Sequence, residues 1–116
     1  MATKTQVESK LREMIGRLAG ADAGIQNNLA KALPDGRVIQ IDVTDLDACY
    51  WTGLSEGRMG KLQRGEASDP DIRMRTSSDD LVAMVDGELG LVKSYLSGRI
   101  RIEASLSDLL ALRKLA

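Results

Sequence analysis

Val38-Ile39-Gln40-Ile41-Asp42-Val43-Thr44 alternates apolar and polar residues without a break. In an extended chain Ile39, Ile41 and Val43 point to one side and Gln40, Asp42 and Thr44 to the other, so the stretch reads as a strand with one buried face. Pro34-Asp35-Gly36 immediately before it is a turn signal. Upstream of that turn the apolar period is helical. Thr5-x-x-Glu8 has the form of a capping box. Behind it Val7, Leu11, Met14, Ile15 and Leu18 fall on one helical stripe that Gly20 ends. A second short helix is expected over Asp22 to Leu33, with Ile25, Leu29 and Leu33 on one face.

Downstream the two-residue period continues. Ala48 to Leu54 forms a second strand, with Tyr50 and Trp51 on opposite faces. Ser55-Glu56-Gly57 turns it into a third strand, Arg58 to Arg64, giving an antiparallel meander. A polar, turn-rich stretch from Gly65 to Pro70 precedes a fourth strand, Asp71 to Thr76, with Ile72 and Met74 inward and Arg73 and Arg75 outward. Ser77-x-x-Asp80 then opens a helix carrying Leu81, Val82, Met84 and Val85, with Gly87 at its C-cap. Leu91 to Ser97 is a short helix closed by Gly98, and Arg99 to Glu103 is a fifth strand. Ser105-x-x-Asp108 caps a last helix with Leu106, Leu109, Leu110 and, further on, Leu112 and Leu115. The order α-α-β-β-β-β-α-α-β-α describes an α+β domain. Its sheet has one apolar face that must be covered by helices. At 116 residues, with no linker or repeat, residues 1–116 are read as one domain.

Composition narrows the chemistry. There is no histidine, which removes Ser-His-Asp and Cys-His nucleophile pairs and His-ligated metal sites. An enzyme would need a carboxylate with a raised pKa in the apolar layer. Every Asp and Glu falls instead at a cap, a turn or an outward strand position, so no catalysis and no cofactor are expected. Sixteen basic and seventeen acidic residues leave no basic excess for a nucleic acid. Cys49 is the sole cysteine, cannot close an internal disulfide, and reads as a small packing residue. The charged stretch Met1 to Arg12 is no signal peptide, and no apolar run approaches the ~20 residues that span a bilayer; a cytoplasmic protein is expected. Asp42, Asp45 and Asp47 lack the spacing of a calcium loop and read as turn formers. Asp79 and Asp80 suit a helix N-terminus, and the glycines build no phosphate loop.

From Val38 onward the chain resembles the sterol carrier protein type 2 family. The resemblance lies in Val38-Ile39-Gln40-Ile41-Asp42-Val43, in Gly65-Glu66-Ala67 before Pro70-Asp71, in Ser78-Asp79-Asp80-Leu81-Val82-Ala83-Met84-Val85-Asp86-Gly87, and in Ser94-Tyr95-Leu96-Ser97-Gly98-Arg99-Ile100-Arg101-Ile102. It implies a five-stranded, mostly antiparallel sheet with helices over one face. It also implies an apolar tunnel between the layers for fatty acids, fatty acyl-CoA, sterols or other lipids, with no catalytic residues. The chain departs from the family pattern in having Ala104 where a Gly follows the last strand. It also has Leu91-Val92 and Ser97 where the family often has a Pro-Gln pair and a Gln.

On pattern alone the apolar faces of the last three helices are those of an ordinary filled core. With the resemblance they become pocket walls. Met74, Leu81, Met84, Val85, Tyr95, Leu96, Ile102, Leu106, Leu109 and Leu110 are the ligand-binding candidates, the helical ones all expected to face the sheet. An empty ~300 Å³ pocket would cost roughly 7 kcal/mol at ~24 cal/mol per Å³, most of a small domain's stability, so it should be filled, wet or partly collapsed. A sixteen-carbon chain gains about 12 kcal/mol gross from burial, enough to bind once association costs are subtracted. If the fourth and fifth strands pair, Arg73, Arg75, Arg99 and Arg101 would cluster on the outer sheet face, as an anion contact or as a solvated, charge-balanced surface. The competing function is an interaction module with a collapsed pocket, a homodimer or an accessory to a lipid-metabolising enzyme, with transient membrane contact open to either.

Overall fold

The computed structural model describes residues 2–19, 36–55 and 58–115. The expected helix over residues 22–33, its Gly20 stop and the Pro34-Asp35 turn lie outside these residues. Helix α1 (Lys4–Ala19) comes first. Strands β1 (Arg37–Val43), β2 (Ala48–Ser55), β3 (Arg58–Met59), β4 (Gln63–Arg64) and β5 (Ile72–Thr76) follow, then α2 (Ser78–Val85), α3 (Leu91–Leu96), β6 (Arg101–Glu103) and α4 (Leu106–Leu115). The strands lie in the order β3-β2-β1-β5-β6, with β4 also on β2. All pairings are antiparallel except β1 with β5.

The parallel pair requires the chain to cross from the β4 edge to the far side of β1. It does so over the outer sheet face. Ala67 N–H donates to Gln40 Oε1 at 2.9 Å, and Gln40 Nε2 donates to Asp42 Oδ1 at 2.8 Å. These bonds satisfy a Gln40 side chain that the crossing loop buries. The inner face carries Ile39, Ile41, Val43, Tyr50, Leu54, Ile72 and Met74, as alternation from Ile39 requires.

Two local expectations move. Helix α1 starts a step earlier than the Thr5-x-x-Glu8 reading, because the box is built by Thr3 and Gln6. Gln6 N–H donates to Thr3 Oγ1 at 3.2 Å, and Thr3 N–H donates to Gln6 Oε1 at 2.9 Å. Glu8 is thereby freed to face the sheet. The third strand is two short pieces, since residues 60–62 leave the ladder. Thr52 Oγ1 there donates to Gly60 O at 3.0 Å, and Leu62 turns in to pack on the core. The later caps stand as read: Asp80 N–H donates to Ser77 Oγ and Asp108 N–H to Ser105 Oγ, each at 3.2 Å.

The fifth strand is shorter than Arg99 to Glu103. Gly98 takes a positive φ of 81° and its N–H donates to Tyr95 O, while Ile100 N–H donates back to Ser94 O at 3.1 Å. Residues 98–100 therefore close α3, and sheet pairing begins only at Arg101.

Candidate functional site

The apolar layer between sheet and helices divides in two. In the first cluster Val7 and Leu11 of α1 and Leu81 of α2 interlock with Ile41, Val43 and Tyr50, with Met14, Leu46, Leu62, Met74 and Met84 packed around them. Polar ties hold this roof down. Glu8 Oε1 accepts from Arg64 Nη2 at 2.7 Å and from Nε at 2.9 Å, and Tyr50 Oη donates to Glu8 Oε2 at 3.3 Å. The bond from Arg64 holds the Glu8 carboxyl below its ordinary value, against the opposing effect of burial. Ser78, fully buried at the start of α2, donates its N–H to Asp45 Oδ1 at 2.8 Å and its hydroxyl to Oδ2 at 2.6 Å. The Ser78 hydroxyl bond is the main reason the Asp45 carboxyl lies below its ordinary value.

The second cluster is smaller. Ile39, Leu54 and Ile72 are buried, with Met59, Ile102 and Ala104 against them. Helices α3 and α4, which flank β6 in the chain, present apolar side chains to solvent: Leu96 is 76% exposed, Leu106 73%, Leu110 50% and Tyr95 41%. The expectation that all the apolar residues of the last three helices face the sheet is thus corrected at Tyr95, Leu96, Leu106 and Leu110. Helix α3 is only six residues long. A helix that short offers about one full stripe, and among the described side chains of α3 it is Ser94, 2% exposed, that lies buried. Leu109 is half-buried. Of the ligand-binding candidates, Leu81 and Val85 are buried beneath α2, Met74 and Met84 border the first cluster, and Ile102 borders the second.

A polar junction at the end of the sheet was missed by sequence reading. Arg37, the first residue of β1, places Nη1 3.4 Å from Asp71 Oδ1 and Nη2 3.4 Å from Asp108 Oδ1. Asp108 is buried in the first turn of α4, and Asp71 Oδ2 also accepts from Val38 N–H at 2.8 Å. Asp108 thus both donates its N–H to the Ser105 cap and pairs with Arg37 through its carboxylate.

The arginine cluster is only partly assembled. Arg73 Nε lies 2.9 Å from Asp42 Oδ2, and Arg75 pairs with the same oxygen at 3.5 Å and with Glu103 at 3.2 Å. Burial raises the Asp42 pKa, but bonds from Gln40 and Arg73 more than offset it, and the carboxyl lies below its ordinary value. Arg101 stands opposite Arg75 in the β5–β6 register. Arg99 does not join them: it precedes β6 and lies 3.8 Å from Asp80 of α2. The outer face is therefore a charge-balanced surface in which Asp42 occupies the centre.

Trp51 is half-buried on that outer face, and Tyr50 is in the core. Burial, reinforced by the nearby Asp42 carboxylate, raises the Cys49 thiol pKa, as suits an unreactive packing residue. Among the described residues no cluster of His, Cys, Asp or Glu could hold a metal ion, and no helix is long and apolar enough to cross a membrane.

A helix-roofed, mixed sheet of this order defines the class, and comparison with known proteins names it. The model of the SCP-2 sterol transfer family matches residues 12–116, and the chain belongs to that family. Hydroxysteroid dehydrogenase-like protein 2 of Mus musculus is 30% identical over 79 residues, which cover 67% of this chain and 16% of that protein. The crystal structure of Sterol Carrier Protein 2 Like 2 from Aedes aegypti superposes with a TM-score of 0.70 at 17% identity, covering 97% of this chain and 98% of that one. The solution structure of palmitated SCP2L2 from Aedes aegypti gives a TM-score of 0.62 at 16% identity, covering 91% of each chain. The structural likenesses establish the shared fold.

Proposed function

We propose that this chain is a non-catalytic carrier that holds an apolar molecule between its sheet and the α3–α4 side of its helical layer. The observation that carries the reading is the unequal roof. One half of the inner sheet face is interlocked with α1 and α2, whereas the other ends in a small cluster beside helices whose Leu96, Leu106 and Leu110 stay exposed. An apolar guest entering beside the second cluster would bury these side chains and gain the transfer free energy of its own chain. Met74, Met84, Val85 and Ile102 then form the floor and near wall, and Tyr95, Leu96, Leu106, Leu109 and Leu110 the adaptable wall. Leu81 serves the first cluster and holds the roof.

Guests of the expected size are a fatty acid, a fatty acyl-CoA or a sterol-like lipid. Support comes from family membership and from the palmitate carried by a neighbour of the same fold. The single cysteine suits a reducing compartment such as the cytoplasm. Brief contact of the exposed leucines with a membrane, an enzyme or a second copy would accompany loading.

A second reading is favoured by one observation. The chain spans 16% of the length of the curated relative from Mus musculus, which favours an accessory unit that presents lipid to a lipid-metabolising enzyme. Native mass spectrometry and solvent extraction of the purified protein test the carrier reading: a co-purifying lipid is expected. No lipid, together with no displacement of a fluorescent fatty acid at about tens of micromolar, would sink it.

A further inference from the structure

Two buried side-chain polar atoms have no hydrogen-bond partner among the described residues, Arg37 Nε and Ser94 Oγ. Arg37 is the more informative because its surroundings are defined. It stands opposite Leu54 in the β1–β2 register and two residues before Ile39, so it borders the second apolar cluster on the inner face. Its terminal nitrogens are taken by Asp71, which leads into β5, and by the buried Asp108 of α4. The guanidinium therefore bridges the sheet and α4 at the edge of the apolar layer. Arginine often meets a carboxylate side-on through two parallel N–H bonds. Here the acids occupy only the outer nitrogens, and the Nε–H is desolvated without an acceptor, an arrangement that costs free energy until one arrives.

We propose that Arg37 Nε–H is the polar contact for the bound lipid, and that it selects a neutral oxygen acceptor, such as a hydroxyl, ketone or ester, over a carboxylate. The assignment rests on the carrier reading and deepens it. The selectivity follows from charge. One guanidinium already faces two carboxylates, so an incoming carboxylate would bring a third negative charge into a partly buried site, beside the buried Asp108, where repulsion is stronger than in bulk water. A neutral oxygen accepts the same hydrogen bond without that repulsion.

Displacement of Nile red from the intact chain by 1-hexadecanol, palmitate and hexadecane tests the proposal at constant chain length. Hexadecanol is expected to bind roughly tenfold more tightly than palmitate, the scale of the repulsion that a third carboxylate meets at a partly buried site. Arg37→Lys keeps the charge but removes the Nε donor. It should weaken hexadecanol several-fold and leave hexadecane unchanged, with circular dichroism confirming the fold. Asp108→Asn removes one negative charge and should narrow the gap by improving palmitate. Should Arg37→Lys not fold, the wild-type order and Asp108→Asn decide. Palmitate equal to or tighter than hexadecanol, a folded Arg37→Lys with unchanged alcohol affinity, or no gain for palmitate in Asp108→Asn would overturn the assignment and leave the carrier reading intact. If none of the three displaces Nile red, the carrier reading fails and takes this inference with it.

Discussion

The α1–α2 side of the molecule and the α3–α4 side are built from the same aliphatic palette but are finished differently. Under α1 and α2, Val7, Leu11 and Leu81 mesh with Ile41, Val43 and Tyr50, and the Glu8–Arg64 and Ser78–Asp45 bonds pin both helices to the sheet and its loops. On the other side, the Asp108–Arg37 ion pair ties α4 to the sheet, and Leu96, Leu106 and Leu110 remain in water. Cohesion in the first half is set by shape, whereas the second half leaves apolar area exposed to solvent. The proposed carrier role uses both, a rigid half to hold the fold and a softer half to admit a guest.

The contrast is broken most forcefully by truncation. Leu11→Ala should destabilise the protein by about 2–5 kcal/mol, read as a lowered urea midpoint. Leu106→Ala, on an exposed side chain, should stay within about 0.5 kcal/mol while weakening lipid binding. Equal loss of stability in the two variants would erase the distinction.

A smaller effect comes from acid. The Glu8 carboxyl lies below its ordinary value of 4.5 in the folded chain. Its contribution to stability is therefore full at pH values above 4.5 and is lost as pH falls through the lower folded value. Urea midpoints measured between neutral pH and pH 3 should drop for the wild type. The Glu8→Gln variant should be less stable at neutral pH and should show a shallower drop. Parallel pH profiles would separate Glu8 from the anchoring of α1.

The gentlest probe is hydrogen exchange. Amides of α3 and α4 should exchange faster than those of α1 and β1, and added lipid should slow them first. Uniform protection in the free protein would contradict a two-part layer.

Much of this architecture was legible because it depends on local periods and local bonds. The alternation in Val38 to Thr44 set the buried face of β1, and Ser77 and Ser105 marked their helix starts through short-range capping bonds. Thr5-x-x-Glu8 misled because Thr3-x-x-Gln6 satisfies the same rule two residues earlier. Only packing shows that Glu8 is needed against Arg64. Arg99 was placed on the outer face by parity, which fails once Ile100 is used to close α3. Arg37 could not be singled out at all, since its partners are 34 residues away at Asp71 and further still at Asp108.

By itself, the sequence determined the first helix, the order of elements from β1 onward apart from the break in the third strand, the inward face of each long strand, and the absence of histidine chemistry, because these depend on neighbours within a turn or a pleat. Tertiary structure alone decided that the apolar layer splits into a larger cluster locked under α1 and α2 and a smaller one near helices with exposed leucines, and that a buried arginine donor sits at the seam. Those outcomes depend on how helices of unequal length lie across one sheet, a matter of long-range fit that no local pattern encodes.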